Sequence, residues 1–308
     1  MEHPAIMLLF EILKKLTPSP KYQHFLDRLE QYSLLIRLDR PIGIYLLLWP
    51  TLWALWIAAK GFPDLLVLFV FVSGVFLMRS AGCAINDFAD RDIDPHVERT
   101  KDRPLAAGRI SSKETLVVFS VLSLTAFSLV LLMNTLTIYM SFAGILLAAS
   151  YPFAKRFHYM PQVHLGMAFG WAAPMAFTAQ ANEITVVTWL IFMATVLWAT
   201  AYDTMYAMAD REDDLKIGVK STAILFGEAD KIIIGLLQTL LIFDLVLIGR
   251  NSDLGLYYYL GLTAASGLAI YQQFLIKDRD RQKCVQAFVN NNWLGFCVFL
   301  GIFVDYWV

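Results

Sequence analysis

The sequence between residues 64 and 94 reads DLLVLFVFVSGVFLMRSAGCAINDFADRDID. Residues 64–84 are almost entirely apolar, whereas Asn86–Asp94 contains four aspartates. An apolar stretch of about 20 residues is long enough to cross a bilayer as a helix. A dense group of carboxylates beside such a stretch is costly in solvation. The pattern therefore indicates a bound cation or polyphosphate at the end of a transmembrane helix.

The composition of the whole chain is that of an integral membrane protein. Of its 308 residues, 58% are apolar, and its mean hydropathy is positive, which excludes an ordinary globular protein. Nine apolar stretches have about the length that spans a bilayer; they lie at 41–59, 64–84, 114–133, 135–153, 162–180, 185–205, 228–249, 254–275 and 285–307. The sequence therefore predicts an all-α integral membrane protein with nine transmembrane helices.

The basic residues are distributed unevenly along the chain. Most of the 25 Lys and Arg lie in the N-terminal tail or in alternate loops, at 85–113, 154–161, 206–227 and 276–284. Because basic loops stay on the cytoplasmic side of a membrane, we expect a cytoplasmic N-terminus and, with nine helices, a periplasmic C-terminus. Residues 1–35 are predicted to form two short cytoplasmic or interfacial helices ahead of a single membrane domain at 36–308.

The first acidic motif is the segment Asn86–Asp94. We expect it to continue the preceding helix as far as Asp94, because Pro95 disfavours a helical residue before it. At about 100° per residue, Asn86, Asp90 and Asp94 would then share one stripe of the helix, with Asp87 on the same broad face. Four oxygen-bearing side chains would converge there.

The second acidic motif, Asp203–Asp214, follows the sixth apolar stretch. Asp203, Asp210 and Asp214 are spaced by seven and four residues, which places them nearly on one line of a helix with Tyr206 between them. Mg²⁺ prefers a few carboxylates together with phosphate oxygens and waters. Two such stripes facing each other would hold Mg²⁺ against a diphosphate. The alternative is that both motifs are solvated helix ends, balanced by neighbouring cations at Arg91, Arg211 and Lys216.

Basic residues accompany both motifs. Arg and Lys bind phosphate oxygens well. Candidates for binding a diphosphate lie in three loops, at Arg99, Lys101, Arg103, Lys155, Arg156, Lys216 and Lys220. The predicted topology alone also places cations in these loops, so the residues by themselves leave both interpretations open.

Three further arginines lie closer to the apolar segments. Arg79 precedes Asn86 by two helical turns on the same face, about 10 Å deeper along the axis. An arginine inside a membrane helix usually faces a cavity or a partner, although it can also extend its side chain to the interface. Arg37 and Arg40, just before Pro41, would serve either as interfacial anchors or as a clamp for an anionic substrate.

Catalytic motifs of other kinds are absent from the sequence. It contains no P-loop, no dinucleotide-binding glycine motif, no HExxH and no Gly-x-Ser-x-Gly. The three cysteines lack the spacing of a metal site or a disulfide. Nothing in the pattern indicates a nucleic-acid partner or an obligate protein partner.

A cation or proton transporter is an alternative from another class, but its carboxylates usually lie near mid-membrane. A non-catalytic scaffold would leave both motifs unexplained.

The two motifs resemble those of a known family. Asn86-Asp87-x-x-Asp90-x-x-x-Asp94 and Tyr202-Asp203-x-x-Tyr206-Ala207-x-x-Asp210-x-x-Asp213-Asp214 are similar to the paired aspartate motifs of the UbiA-type intramembrane prenyltransferases. Shorter stretches support the resemblance, among them Arg40-Pro41-Ile42-Gly43, Arg79-Ser80-Ala81-Gly82-Cys83, Arg103-Pro104-Leu105 and Tyr151-Pro152-Phe153-Ala154-Lys155-Arg156. Within the family, the sequence looks most like the members that prenylate 4-hydroxybenzoate in ubiquinone biosynthesis.

The resemblance implies a fold and an activity. The fold has nine transmembrane helices around a central cavity with a lateral opening to lipid. The activity is the Mg²⁺-dependent transfer of a polyprenyl group from a polyprenyl diphosphate to the ring carbon ortho to the hydroxyl of 4-hydroxybenzoate. We expect this enzyme in the bacterial inner membrane, with its active site facing the cytoplasm. Sibling enzymes that use a naphthoate, a haem or a glyceryl phosphate as acceptor are the nearest alternative.

The resemblance also implies roles for individual residues. The expected Mg²⁺ ligands are Asn86, Asp87, Asp90, Asp94, Asp210 and Asp214. The expected catalytic carboxylates are Asp87, Asp90, Asp203 and Asp210, with Asp203 orienting or deprotonating the phenol. The expected diphosphate-binding residues are Arg103, Lys155, Arg156 and Lys216. Arg79, Arg37 and Tyr206 are expected to bind the aromatic substrate.

Overall fold

The computed structural model describes residues 4–16, 19–97 and 100–308. Within these ranges the regular elements are helices, which belong to two compact units: Met1–Ile44 with Ser73–Ser128, and Tyr45–Val72 with Leu129–Val308. The α-helices are α1 (Pro4–Leu16), α2 (Pro20–Leu35), α3 (Ile42–Ala59), α4 (Leu65–Ala89), α5 (Ser112–Val130), α6 (Thr135–Phe157), α7 (Pro161–Gly170), α8 (Ala172–Ala181), α9 (Val186–Ile217), α10 (Thr222–Phe226), α11 (Asp230–Asn251), α12 (Leu256–Ile276) and α13 (Arg281–Trp307).

Seven helical segments in the described part of the chain are long and apolar enough to cross a membrane. They are α3, α4, α5, α6, α9, α13 and the segment Thr222–Asn251, which contains α11. Each coincides with one of the nine apolar stretches marked in the sequence. The prediction of an all-α membrane protein is thus confirmed for the described residues, with seven candidate spans.

The other two apolar stretches also form helices, but these helices are not among the seven candidate spans. The stretch 162–180 is divided between α7 and α8, each of ten residues. A ten-residue helix rises about 15 Å, about half the thickness of the hydrocarbon core. The stretch 254–275 corresponds to α12, which is 21 residues long. It contains four tyrosines and two glutamines and is not among the seven candidate spans found in the described residues.

The helix that carries the first acidic motif ends earlier than expected. α4 ends at Ala89 rather than at Asp94, the backbone turns at residues 90–93, and a 3-10 turn follows at Asp94–His96. The expectation of a continuous helix to Asp94 is therefore wrong. Pro95 disfavours helix at the preceding residue, and aspartates favour turns and caps because their side chains bond to nearby backbone groups.

The core of the first unit fixes the end of α2. Leu35, Ala84 and Ile110 form a buried cluster that joins α2, α4 and the segment before α5. The side chain of Arg28 in α2 also donates hydrogen bonds to Glu114 and to the carbonyl oxygen of Arg109. The C-terminal end of α2 is therefore held against α4 and the segment before α5. The residues that follow α2 start from this position.

Three consecutive asparagines on α13 bind three different helices of the second unit. Asn290 accepts a hydrogen bond from Gln272 of α12 at 3.0 Å. Asn291 accepts one from the indole of Trp198 in α9 at 2.8 Å, and Asn292 accepts one from Trp49 in α3 at 2.9 Å. Side-chain hydrogen bonds between helices help to hold membrane bundles together. α9, which carries the second acidic motif, is thereby fixed against α13.

Candidate active site

The carboxylate of Asp87 is the most enclosed group of the first acidic motif. Only 1% of Asp87 is exposed. Its Oδ1 accepts hydrogen bonds from Nη2 of Arg37 at 2.6 Å and from Nη1 of Arg103 at 3.2 Å. Two guanidinium groups therefore compensate a carboxylate that has lost its water, and a buried charge without such partners would be strongly destabilising.

Arg103 also brings Asp94 to this group. Its Nη1 lies 2.8 Å from Oδ2 of Asp94, which is buried. Asp87 and Asp94 thus bind the same guanidinium, although Asp87 lies in α4 and Asp94 lies in the 3-10 turn that follows it. The expected convergence of these two carboxylates is present, but an arginine from the following loop produces it rather than helical periodicity.

Asn86 and Asp90 form the second pair of the motif. Nδ2 of Asn86 donates a hydrogen bond to Oδ2 of Asp90 at 3.1 Å, and the backbone N–H of Asp90 bonds to the carbonyl of Asn86. Asp90 is also almost completely buried. Of the four oxygen-bearing residues predicted from the first motif, Asn86 and Asp90 are therefore hydrogen-bonded to each other, whereas Asp87 and Asp94 are joined through Arg103.

The first motif offers donors that suit Mg²⁺. Within the described ranges, no three Asp, Glu, His or Cys side chains form a ready cluster of metal ligands. Mg²⁺ does not require one, because it binds through a few carboxylates and completes its shell with phosphate oxygens and waters. Oδ2 of Asp87 is buried and has no hydrogen-bond partner among the residues that the structure describes. A buried carboxylate oxygen in this state is an acceptor that a cation would satisfy.

Arg79 lies against Gly43 at the start of α3. Its Nη1 donates a hydrogen bond to Sγ of Cys83 at 2.8 Å. A Cβ placed on Gly43 would lie only 2.7 Å from Cζ of Arg79. The guanidinium therefore occupies the space that any other residue at position 43 would fill with its side chain.

The second acidic motif lies on one continuous helix. α9 extends to Ile217, as the spacing of its aspartates predicted. Asp210 is buried, Asp203 and Asp214 are half-buried, and the ring of Tyr206 packs against Phe288 with 4.7 Å between centroids. This motif therefore differs from the first, because helical geometry alone places its carboxylates.

The cations after α6 are joined to the loop that follows the second motif. Lys155 and Arg156 lie in the last turn of α6. Nζ of Lys220, in the loop after α9, donates a hydrogen bond to the carbonyl oxygen of Phe157 at 3.2 Å. The basic end of α6 and this loop are thus connected within the second unit. Arg99, another candidate for phosphate binding, lies outside the described residues.

The sequence did not reveal three of the contacts around these motifs. It proposed Arg37 only as an anchor or substrate clamp, and it gave Gly43 no role. It also did not single out Arg281, the first residue of α13, whose Nη2 lies 2.9 Å from Asp213 and 3.5 Å from Asp210. Each contact joins residues that are far apart in the chain, so no local spacing could have indicated it.

Sequence comparison identifies the family. A model of the UbiA prenyltransferase family matches residues 47–300. The chain belongs to this family. The 4-hydroxybenzoate octaprenyltransferase of Alkalilimnicola ehrlichii is 61% identical over 279 residues, which cover 91% of this chain and 95% of that protein. The 4-hydroxybenzoate octaprenyltransferase of Methylococcus capsulatus is 61% identical over 280 residues, which cover 91% of this chain and 96% of that protein.

Solved structures agree with this family assignment at the level of the fold. A UbiA homolog from Aeropyrum pernix K1 superposes with a TM-score of 0.75 at 24% identity, covering 85% of this chain and 97% of that chain. A UbiA homolog from Archaeoglobus fulgidus, bound to GPP and Mg²⁺, superposes with a TM-score of 0.65 at 18% identity, covering 87% of this chain and 99% of that chain. The helical UbiA fold expected from the two motifs is thus confirmed.

Proposed function

We propose that this UbiA-family prenyltransferase transfers a polyprenyl group from a polyprenyl diphosphate to the ring carbon ortho to the hydroxyl of 4-hydroxybenzoate. The products are 3-polyprenyl-4-hydroxybenzoate and diphosphate, on the route to ubiquinone. The proposal is carried by the relatives that are 61% identical over about nine-tenths of the chain and are named for this acceptor. The buried carboxylates of the first motif support it.

Mg²⁺ is the cofactor in this proposal. When bound, it neutralises the diphosphate and makes it a better leaving group. The first motif would hold it through Oδ2 of Asp87, while Arg37 and Arg103 keep Oδ1 in place. The other proposed ligands are Asn86, Asp90, Asp94, Asp210 and Asp214, and of these Asp90 and Asp210 act with Asp87 as catalytic carboxylates.

The diphosphate oxygens are bound by cations of the loops. Arg103 suits this role because its guanidinium is held beside Asp87 and Asp94 and has further N–H groups to donate. We propose Lys155, Arg156 and Lys216 as the other diphosphate-binding residues. Arg and Lys differ here, because Arg offers a planar pair of donors to phosphate whereas Lys acts as a point charge.

The acceptor carboxylate is bound by Arg79 in preference to Arg37. The guanidinium of Arg37 is hydrogen-bonded to Asp87 and to the carbonyl oxygens of Leu34 and Leu35. Its removal from Asp87 would leave that buried carboxylate with less compensation, so Arg37 is the weaker candidate. Arg79 lies two helical turns from the motif on α4, and its guanidinium packs against Gly43 at the start of α3.

The ring is activated by loss of its phenolic proton. We propose that Asp203, the first carboxylate of the second motif, orients or accepts this proton, and that Tyr206 contacts the ring. A phenolate directs electrophiles to its ortho carbon, where the prenyl group is attached. The apolar surroundings exclude water, which would otherwise consume the allylic cation. A base then removes the ring proton and restores aromaticity.

Other functions are less favoured by the observations. A sibling prenyltransferase with a naphthoate, a haem or a glyceryl phosphate as acceptor would use the same two motifs, so the acceptor rests on the relatives and on Arg79. A cation or proton transporter would need its carboxylates near the middle of the membrane. In this chain, by contrast, Asp87 lies in the last turn of α4 and Asp210 is near the end of α9.

The topology of the proposed enzyme follows the positive-inside rule. We propose a multi-pass inner-membrane protein with nine spans, α1 and α2 at the cytoplasmic surface, and the active site on the cytoplasmic side. A reporter enzyme fused after Val308 is expected to be active only on the periplasmic side. A reporter inserted after Lys101 is expected to be active only in the cytoplasm. A cytoplasmic signal from the C-terminal fusion would contradict the nine-span arrangement.

The metal-binding role of the two motifs predicts a loss of turnover per folded molecule that is larger than any loss of folded protein. Asp87→Ala and Asp210→Ala each remove a proposed Mg²⁺ ligand, and we expect activity to fall at least about 100-fold. Membranes are assayed with radiolabelled 4-hydroxybenzoate, a polyprenyl diphosphate and Mg²⁺ for lipid-soluble product. EDTA should have the same effect on the wild type, and added Mg²⁺ should reverse it.

The control for this experiment is Asp278→Ala, which removes an exposed carboxylate of the loop between α12 and α13. It should retain wild-type activity. The proposed metal site would be wrong if Asp87→Ala or Asp210→Ala kept more than a few per cent of wild-type activity at normal amounts of folded protein.

The position of Arg79 over Gly43 predicts a selective effect on the acceptor. A charge-assisted hydrogen bond contributes about 1.5–3 kcal/mol, so Arg79→Met should raise the KM for 4-hydroxybenzoate by about tenfold or more. Gly43→Ala should raise the same KM, because the added methyl group displaces the guanidinium. The KM for the prenyl diphosphate should change much less in both variants.

Gly82→Ala is the matched control for Gly43→Ala, since a Cβ at Gly82 has no neighbouring atom within 4 Å. It should leave both KM values unchanged. If Arg79→Met and Gly43→Ala chiefly weakened diphosphate binding, Arg79 would belong to the diphosphate site, and Arg37 would become the first candidate for the acceptor carboxylate.

A further inference from the structure

The loop between α12 and α13 is anchored by a buried ion pair. Asp230, with no exposed surface, accepts hydrogen bonds from Arg279 at 2.9 Å and from Arg211 of the second motif at 3.3 Å. The hydrogen bond to Asp230 raises the pKa of Arg279, so this guanidinium stays charged. Because a buried pair is costly to break by removing one partner, this link fixes the start of α13 beside the second motif.

Arg281 contacts the same motif in a different way. It is half-exposed, with 51% of its side chain accessible, and its Nη2 lies 2.9 Å from Oδ2 of Asp213 and 3.5 Å from Oδ1 of Asp210. Lys216 also pairs with Asp213, at 3.3 Å. Ion pairs at such exposed positions are weak and are readily exchanged. The Arg281 side chain is therefore free to change partners while its backbone stays in place.

Asp210 is a proposed Mg²⁺ ligand, and a guanidinium beside its carboxylate competes with the metal. A divalent cation at Asp210 would repel Arg281, which cannot lose its own charge because arginine remains protonated in proteins. Arg281 would then lose Asp210 as a partner and keep Asp213, which leaves part of its guanidinium available to another anion. A metal-bound diphosphate supplies one, and Arg pairs with phosphate through two parallel hydrogen bonds.

We propose that Arg281 is a diphosphate-binding residue that exchanges partners, pairing with Asp210 and Asp213 before the substrate binds and with the diphosphate afterwards. This inference rests on the proposed function of the second motif. The backbone needs no rearrangement for the exchange. Arg279 is anchored to Asp230, and the side chain of Asp280 accepts a hydrogen bond from the N–H of Lys283 at the start of α13. Only the side chain of Arg281 has to turn.

The exchange predicts effects of opposite sign on two ligands. Removal of the guanidinium in Arg281→Gln should tighten the binding of Mg²⁺ alone by about two- to threefold, because a weak exposed competitor is lost. It should weaken the binding of inorganic diphosphate in the presence of Mg²⁺ by about tenfold, because a bidentate partner is lost. Both dissociation constants are measured by titration calorimetry on the purified full-length protein in detergent.

Lys283→Gln is the matched control, because Lys283 is an exposed cation in the same first turn of α13. It should leave both dissociation constants unchanged. Arg281→Lys should recover part of the diphosphate affinity, since it restores a charge without the planar pair of donors. A merely structural role for Arg281 would instead weaken the binding of both ligands together.

The outcomes separate this inference from the proposed function. If the wild type bound diphosphate only with Mg²⁺ and lost this binding in Asp210→Ala, the proposed role of the motif would stand. Unchanged diphosphate affinity in Arg281→Gln would then overturn the inference about Arg281 alone. If the wild type bound no diphosphate with Mg²⁺, the proposed function itself would fail.

Discussion

A carboxylate with 1% of its surface exposed is stable as a charged group only where cations replace the water it has lost. Asp87 is such a group, and Arg37 and Arg103 provide the compensation. This interaction determines much of the first unit. It fixes Arg37, the second residue after α2, it holds the loop after the first motif against α4, and through Arg103 it brings Asp94 to Asp87. One oxygen of Asp87 is held by both guanidinium groups, and the other, which has no hydrogen-bond partner among the described residues, is the one we propose as a metal ligand. Arg37 is hydrogen-bonded to Asp87, and for this reason we propose Arg79 before Arg37 as the residue that binds the substrate carboxylate.

The second unit also holds a group of carboxylates in place, but it does so through contacts between helices rather than through an ion pair with a loop. Its carboxylates lie on a single helix, so the unit has to hold that helix in place rather than shape a loop. Asn291 bonds to Trp198, Thr204 bonds to Thr222, and Arg211 bonds to Asp230. These contacts join α9 to three other helices along its length. In a membrane, where apolar packing alone does not favour association between helices, such polar contacts help to specify the arrangement. The exposed ends of the motif carry the weaker ion pairs, which are the ones that a ligand can replace.

The sequence predicted the features that depend on local pattern. Apolar length placed the helices, and the spacing of Asp203, Asp210 and Asp214 correctly placed them on one helix. The prediction failed where local backbone preferences opposed a continuous helix, because turns at the aspartates and at Pro95 ended α4 before Asp94. The contacts that could not be predicted join distant parts of the chain. Arg37 with Asp87, Gly43 with Arg79, and Arg281 with Asp213 are each separated by at least 36 residues, and only the tertiary fold brings them together.

The most direct test of this account is a thermodynamic cycle between Arg37 and Asp87, measured as thermal unfolding of the protein in detergent. The variants are Arg37→Met, Asp87→Asn and the double variant. Arg37→Met alone should destabilise the protein clearly, because a buried charge loses one of its two partners. In the Asp87→Asn background the same change should cost little, giving a coupling energy of about 1–3 kcal/mol. Equal destabilisation by Arg37→Met in both backgrounds would show that compensation of Asp87 is not the constraint on which the first motif depends.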